Sequence, residues 1–185
     1  MTTMRNLLML MCAVIAAVTL AACGGGEPAP IDPNTQPLAA GSYKLAFSAI
    51  STARLAAPIS GIDVSVKLPV GLLVSTDNGG ASGQITTSSL TPGSAFPSGS
   101  ALIFGNYSAS TRTAYLTMAT SLDTYRGGQY LNLLFTVPTG AVVTPNDIFN
   151  LNLTYPLYKV VGFDAITHSS VDMTGSVKTT LGVAP

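Results

Sequence analysis

Apolar and polar residues alternate with a period of two along much of the chain after residue 40. The alternation is clearest in four segments, residues 62–68, 131–137, 149–153 and 171–177. In the first of them, Ile62, Val64, Val66 and Leu68 are separated by polar side chains. Because successive side chains of a strand point to opposite faces, each segment is predicted to be a half-buried β-strand.

Weaker strand patterns fill most of the remaining sequence of this region. They cover residues 43–50, 72–75, 101–107, 113–119 and 158–163. Clusters of Gly, Pro, Asn and Ser separate them, as expected for turns, and no window longer than a turn or two has convincing helical spacing. About nine strands joined in this way predict an all-β fold, an antiparallel β-sandwich with jelly-roll or Greek-key connections.

The first residues follow a different pattern. Arg5 precedes a largely apolar run from Leu7 to Leu20, and Ala21, Ala22 and Cys23 come next, followed by three glycines. The run is shorter than the about 20 apolar residues that a membrane span needs. The segment resembles the lipobox of bacterial lipoprotein precursors. That resemblance implies that residues 1–22 are a signal peptide and that Cys23 is acylated and becomes the mature N-terminus.

Acylation of Cys23 would anchor the protein to a membrane without a transmembrane helix. The domain would then work in an aqueous compartment outside the cytoplasm. In bacteria with two membranes, Gly24 rather than Asp after the cysteine favours the outer membrane. Cys12 would leave with the signal peptide, so the mature chain would have no disulfide. An ordinary signal peptide with an accidental cysteine, or an uncut membrane anchor, is the alternative.

Residues 24–40 contain four prolines and show no hydrophobic periodicity. Such a segment cannot bury enough apolar surface to fold, and it is predicted to be a semi-extended tether. The chain is therefore divided into a signal peptide (residues 1–22), the acylated cysteine with its tether (23–40) and a β-sandwich domain (41–185).

Three stretches of the domain resemble the cohesin-like β-sandwich, the fold shared by scaffoldin cohesins and one superfamily of carbohydrate-binding modules. They are residues 61–74, 127–137 and 171–178, which look like an early strand ending in proline, a Gly-rich turn entering a strand, and the closing strand. The resemblance implies the sandwich fold, and a fold alone does not fix function. The chain has no recognisable dockerin-binding set, so the partner does not carry over.

Composition excludes several functions. The formal net charge is zero and only 9% of residues are charged, so there is no basic face for nucleic acid.

The single histidine, His168, has Asp164 nearby but no nucleophile elbow, and is interpreted as a surface residue near a strand end. One histidine cannot build a zinc site, and the aspartates mostly suit turns rather than a catalytic pair. We expect no enzyme activity and no cofactor.

Calcium is harder to exclude because its oxygen ligands can come from Asp, Asn and backbone carbonyls. The oxygen-rich candidates are Asp77, Asn78 and Asp147. None has the spacing of a known calcium loop, so plain turns are the favoured interpretation.

Sugar binding usually depends on aromatic platforms, and this chain has no Trp. Tyrosines could substitute if several lay on one sheet face, and the ligand-binding candidates are Tyr107, Tyr115, Tyr125 and Tyr130, with Arg126 on an exposed turn. Most of these rings are expected to pack in the core or in an interface.

The sequence thus predicts a non-catalytic, lipid-anchored binding module outside the cytoplasm, with a protein or polysaccharide as its ligand. The alternative is a structural or self-assembling subunit of a cell-envelope or surface apparatus. A hydrolase is the least favoured interpretation.

Overall fold

The alternating segments form two antiparallel sheets that pack face to face. The structure, a computed structural model, describes residues 32–154 and 157–185. The predicted signal peptide, Cys23 and the first part of the tether lie outside the described residues. Within the described ranges the fold is an all-β sandwich of ten strands, as the alternation predicts.

The strands are β1 (Gly41–Ser51), β2 (Ile59–Lys67), β3 (Gly83–Gln84), β4 (Leu90–Pro92), β5 (Ala101–Ser108), β6 (Thr113–Thr120), β7 (Gly128–Val137), β8 (Leu157–Asp164), β9 (Ser169–Asp172) and β10 (Val177–Ala184). One short helix, α1 (Pro145–Leu151), lies between β7 and β8. The strand order is β10-β1-β7-β4 in the four-stranded sheet and β3-β5-β6-β2-β8-β9 in the six-stranded sheet.

The core lies between the two sheets and is filled by the apolar positions of the alternating segments. Its largest fully buried side chains include Phe47 of β1, Ile62 of β2, and Tyr130 and Phe135 of β7. Burying an apolar side chain of this size contributes roughly 1.5–3 kcal/mol, so the core positions of β1, β2 and β7 contribute strongly to the stability of the sandwich. The predicted strands at 62–68 and 131–137 are confirmed.

The strand predicted at residues 149–153 is wrong, because this stretch forms α1 and the loop after it. Thr144 is the N-cap of α1 and exchanges hydrogen bonds with Asp147 in a capping box, and Pro145 occupies the first turn. The buried positions Pro145, Ile148 and Asn152 follow helical spacing. Burial is therefore the inverse of the prediction: the polar Asn152 is buried, whereas Leu153 is 80% exposed.

The strand predicted at residues 171–177 is only partly right. β9 ends at Asp172, a 3-10 turn covers Thr174–Ser176, and β10 begins at Val177. The Asp172 carboxylate accepts hydrogen bonds from the backbone N–H and the hydroxyl of Thr174, at 2.9 and 2.7 Å. This local bonding competes with the sheet ladder and stops β9.

Residues 72–75 also differ from the prediction of a strand. Leu73 forms only an isolated bridge with Thr136, through reciprocal backbone hydrogen bonds of 3.0 and 2.9 Å. The short strands β3 and β4 were not predicted, because two or three residues are too few to show alternation.

The end of the predicted tether contacts the sandwich. The Leu38 backbone N–H donates to the Val143 carbonyl at 2.8 Å, and the Leu38 side chain packs against the core. Within the described residues, no helix has the length and apolar character needed to cross a membrane.

Candidate binding face

The outer face of the six-stranded sheet is built around β2, whose outward residues Gly61, Asp63 and Ser65 are short. The register places each of them between a residue of β6 and a residue of β8. These rows are Tyr115–Ser65–Leu157, Thr117–Asp63–Lys159 and Ala119–Gly61–Val161. Because the central strand has the short side chains, a trough runs along β2 between taller walls.

Large apolar side chains flank this trough. In β5, Leu102 is 73% exposed and Phe104 is 50% exposed; in β6, Tyr115 is 53% exposed. Leu157 and Phe163 are exposed on β8, on the other side of β2. We call these five residues, with the floor residues Gly61, Asp63 and Ser65, the binding face. Aromatic and aliphatic side chains grouped on one face mark an interaction surface more often than scattered ones do.

A depression of about 400 Å³ lies in the trough. Asp63 of the floor lines it, together with Tyr115 and Thr117 of β6 and Leu157 and Lys159 of β8. The Thr117 hydroxyl donates to the Asp63 carboxylate at 2.6 Å, which fixes the orientation of that carboxylate. The depression therefore combines apolar walls with an acceptor, a hydroxyl and a cation, a set that can hold a ligand with both polar and apolar surfaces.

The outer face of the four-stranded sheet has different chemistry. Its central positions include the small or polar residues Ala46, Ser48 and Asn132, with Thr180 and Gly182 of β10 beside them. Their polar groups are partly used within the face, since the Gln129 amide donates to the Asn132 side-chain oxygen at 2.9 Å. Two large apolar side chains are also exposed on this face: Ile50 of β1 is 51% exposed, and Leu73, bridged to Thr136 of β7, is 53% exposed. The outer face of the six-stranded sheet carries five such side chains, and they flank the trough.

The four tyrosine candidates occupy different environments. Tyr107, Tyr125 and Tyr130 are buried, and Tyr115 alone of the four exposes its ring, on the binding face. Tyr125 packs against Phe96 with ring centroids 4.5 Å apart. Burial raises the pKa of the Tyr125 and Tyr130 phenols well above the usual range. The three buried rings have no free face to stack on a sugar.

Arg126 is exposed on the turn before β7, where sequence placed it. Its guanidinium donates to the carbonyl oxygens of Asp123 and Tyr125, at 3.0 and 3.3 Å. The side chain therefore closes its own turn, and its contact with Tyr125 is to the backbone carbonyl.

The calcium candidates lie in two separate local structures. Asp77 and Asn78 form the turn before β3, and the Asn78 amide donates to the Ser82 carbonyl at 3.0 Å. The Asp147 carboxylate instead accepts the backbone N–H and the hydroxyl of Thr144, at 2.7 and 2.8 Å, and these bonds lower its pKa. Across the described ranges, no group of three or more His, Cys, Asp or Glu residues is placed to hold a metal ion.

His168 and Asp164 lie in the exposed turn between β8 and β9. The Asp164 carboxylate accepts the backbone N–H of Ile166 at 2.8 Å and of Thr167 at 3.4 Å, and these bonds lower its pKa. His168 has a positive φ of 51° and its ring lies 6.5 Å from that of Phe163. Asp164 therefore shapes the turn through these backbone bonds.

Sequence reasoning missed most of the binding face. Its candidates were four tyrosines and Arg126, whereas Leu102, Phe104, Leu157 and Phe163 provide much of the exposed apolar surface. A signal was present in residues 102–104, Leu-Ile-Phe, where apolar residues occupy both strand faces. A strand that is apolar on both sides needs a second partner for its outer side.

No family model matches this chain, and no curated protein or solved structure shows significant similarity to it. The functional assignment therefore rests on the sequence and on the geometry of the binding face.

Proposed function

We propose that this protein is a non-catalytic, lipid-anchored binding module that works outside the cytoplasm and holds a protein or polysaccharide ligand on the binding face. The observation that carries the proposal is the contrast between the two outer faces. One exposes Leu102, Phe104, Tyr115, Leu157 and Phe163 around a trough, whereas the other exposes Ile50 and Leu73 among mainly small and polar side chains.

The chemistry of the trough supports binding without catalysis. Among the residues that line the depression, Asp63 is the carboxylate, and it is hydrogen bonded to Thr117 and paired across the strands with Lys159. Glycoside hydrolysis ordinarily uses two carboxylates on opposite sides of the bond that is cleaved. A single oriented carboxylate beside an exposed tyrosine is better suited to hydrogen bonding and stacking on a bound ligand.

The N-terminal sequence supports the anchor. The cation, the apolar run, the small residues and Cys23 form a lipoprotein-like signal, and the proline-rich segment after it would hold the domain away from the lipid surface. A cohesin-like origin of the sandwich is part of the same proposal, and both branches of that fold bind macromolecules rather than transform them.

The test is a parallel screen of three proteins against a glycan array and an envelope extract. The parent chain is compared with the double variant Phe104→Ser/Tyr115→Ser and with the control Val142→Ser, which alters a 79% exposed residue in the loop before α1. We expect a ligand that the parent and the control retain and the double variant loses. A ligand on the array would identify a polysaccharide, and one from the extract a protein. No ligand in either screen, or one retained by all three proteins, would overturn the proposal.

A further inference from the structure

A pocket of about 410 Å³ lies where β2 begins, beside the binding face. Its lining comes from residues 58–60 at the start of β2, from residues 120–123 at the end of β6 and the turn after it, and from Phe163 and Ala165 at the end of β8. Phe163 also belongs to the binding face, so the pocket is continuous with that face. Its volume falls within the range of about 300–1,000 Å³ that is usual for small-ligand sites.

A β-bulge lies at one side of this pocket. The register between β2 and β8 shifts between Ile59 and Gly61, which makes Ser60 the extra residue of β2. Next to the bulge, the Phe163 N–H donates to the Pro58 carbonyl at 3.3 Å and ties the end of β8 to the residue before β2. Bulges bend a strand and are common beside binding and active sites. This local structure fixes the backbone of Phe163 at the pocket.

The hydroxyl groups of Ser60 and Thr120 are already used inside the protein. The Ser60 hydroxyl donates to the Val161 carbonyl at 3.2 Å. The Thr120 hydroxyl donates to the Ser100 carbonyl at 2.6 Å and accepts the Leu122 N–H at 3.1 Å. A sugar needs partners for many hydroxyls, because polar groups that lose water without a new hydrogen bond weaken binding. This pocket offers few such partners.

The carboxylate of Asp123 is open to a ligand. Asp123 is exposed and lines the pocket. The neighbouring cation, Arg126, donates to the backbone carbonyl of Asp123 at 3.0 Å rather than to its carboxylate. Within the described ranges, no group of the protein hydrogen bonds to this carboxylate. The pocket therefore presents an unpaired negative charge beside apolar side chains.

The combination of Phe163 and Asp123 suits one kind of side chain in particular. The Phe163 side chain is 43% exposed, so its ring is accessible from the pocket. An arginine guanidinium can stack on an aromatic ring and bond to a carboxylate through two parallel N–H groups, whereas a lysine ammonium is a point charge. The methylene stem of an arginine can lie on apolar surface such as that of Leu122. Charge thus selects a cation, and the ring selects arginine.

We infer that the ligand of the binding face is a protein, and that it inserts an arginine side chain into this pocket. The inference rests on the proposed function, because it names which of the two ligand classes the binding face holds. A neutral polysaccharide has no cation to pair with Asp123. The rest of the protein ligand covers the exposed apolar side chains of the binding face.

The test begins with a random peptide library displayed on phage and selected on the immobilised full chain. We expect the enriched peptides to contain arginine. In a synthetic copy of such a peptide, arginine is replaced by citrulline, which has a similar shape but no charge. This copy is expected to bind the parent about fivefold more weakly or worse, because a charge-assisted hydrogen bond is lost.

Four variants of the protein then locate the arginine. Asp123→Asn removes the charge and keeps a residue that suits a turn, and it is expected to weaken peptide binding about fivefold or more. Phe163→Leu keeps an apolar side chain without the ring, and a loss of about threefold is expected. The controls are Asp77→Asn and Ile166→Ser, which alter exposed residues outside the pocket and should stay within about twofold of the parent. Circular dichroism checks that all four variants fold like the parent.

Three results would overturn the inference: no enriched peptide, enriched peptides without arginine, or equal peptide affinities of the parent and Asp123→Asn. A ligand found only on the glycan array would also overturn it, but would leave the proposed binding face standing. The same holds for a peptide that Phe104→Ser/Tyr115→Ser loses and Asp123→Asn retains.

Discussion

Gly93 shows how a single residue fixes the packing of the sheet end. It lies directly after β4, where its N–H donates to the Tyr130 carbonyl at 3.0 Å. A Cβ at this position would overlap the Gln129 carbonyl oxygen and lie 2.6 Å from the Tyr130 nitrogen. Both neighbours belong to the backbone of β7, so neither can move without disturbing the sheet.

Gly93→Ala is therefore expected to destabilise the protein by about 2–3 kcal/mol, the usual cost of forcing extra volume into a packed region. Gly175→Ala is the matched control, because a Cβ there meets nothing within 4 Å. Its effect is expected to stay within about 0.5 kcal/mol. Urea denaturation of both variants measures the difference, and equal midpoints would contradict the packing described for Gly93.

The tyrosines show that the sequence alone does not determine which of these side chains are buried. Composition identifies them as candidate platforms, but burial depends on which strand face a residue occupies and on what packs above it. Tyr130 and Leu131 are both fully buried although they are neighbours in β7, whose register with β1 shifts between Phe47 and Ser48. A β-bulge changes the side that a residue faces, and no period-two pattern predicts it.

At the scale of elements, the segment around α1 shows two signals in competition. Phe149, Leu151 and Leu153 alternate with polar residues, which predicts a strand. The capping box from Thr144 to Asp147, with Pro145 in the first turn, starts a helix, and Asn152 ends it by donating to the Ile148 and Lys67 carbonyls, both at 2.8 Å. The stop and start signals at the ends, rather than the alternation inside, determine the structure of this segment.

The capping box also predicts a pH dependence. Hydrogen bonds from Thr144 lower the folded-state pKa of Asp147, so its contribution to stability is present above the unfolded pKa of about 3.9 and is lost as the pH falls through the folded value. Asp147→Asn is expected to lower stability at pH 7 by about 0.5 kcal/mol, typical of a carboxylate at an exposed helix N-terminus. The difference between the urea midpoints of parent and variant should shrink as the pH falls below the unfolded pKa and through the lowered folded value, because Asp147 then becomes protonated. A constant difference across this range would contradict the role of Asp147.

At the scale of the whole molecule, the sequence predicts the class of fold but not its arrangement. Alternation requires that each sheet bury one face. A two-sheet sandwich meets this requirement, because the apolar faces of β1 and β7 in one sheet pack against that of β2 in the other. It does not specify neighbours: β2 lies between β6 and β8, and β1 lies between β7 and β10. The trough on the binding face arises from this strand order, and for that reason it could not be predicted.

The N-terminal signal makes its own prediction for the whole protein. If Cys23 is acylated, cells fed an alkyne analogue of palmitate should label the parent protein, and Cys23→Ser should lose the label and the membrane association. Cys12→Ser is the control, since Cys12 would be removed with the signal peptide and its substitution should leave labelling unchanged. Labelling of Cys23→Ser at the parent level would contradict the anchor.

The central claim is that a ligand binds on the outer face of the six-stranded sheet, and an affinity comparison tests it most directly. The ligand found in the screen is titrated against the parent, Phe104→Ser/Tyr115→Ser and Val142→Ser. Our account predicts that the dissociation constant of the double variant rises at least tenfold, equivalent to about 1.4 kcal/mol, while that of Val142→Ser stays within twofold of the parent. Equal affinities of the parent and the double variant would contradict it.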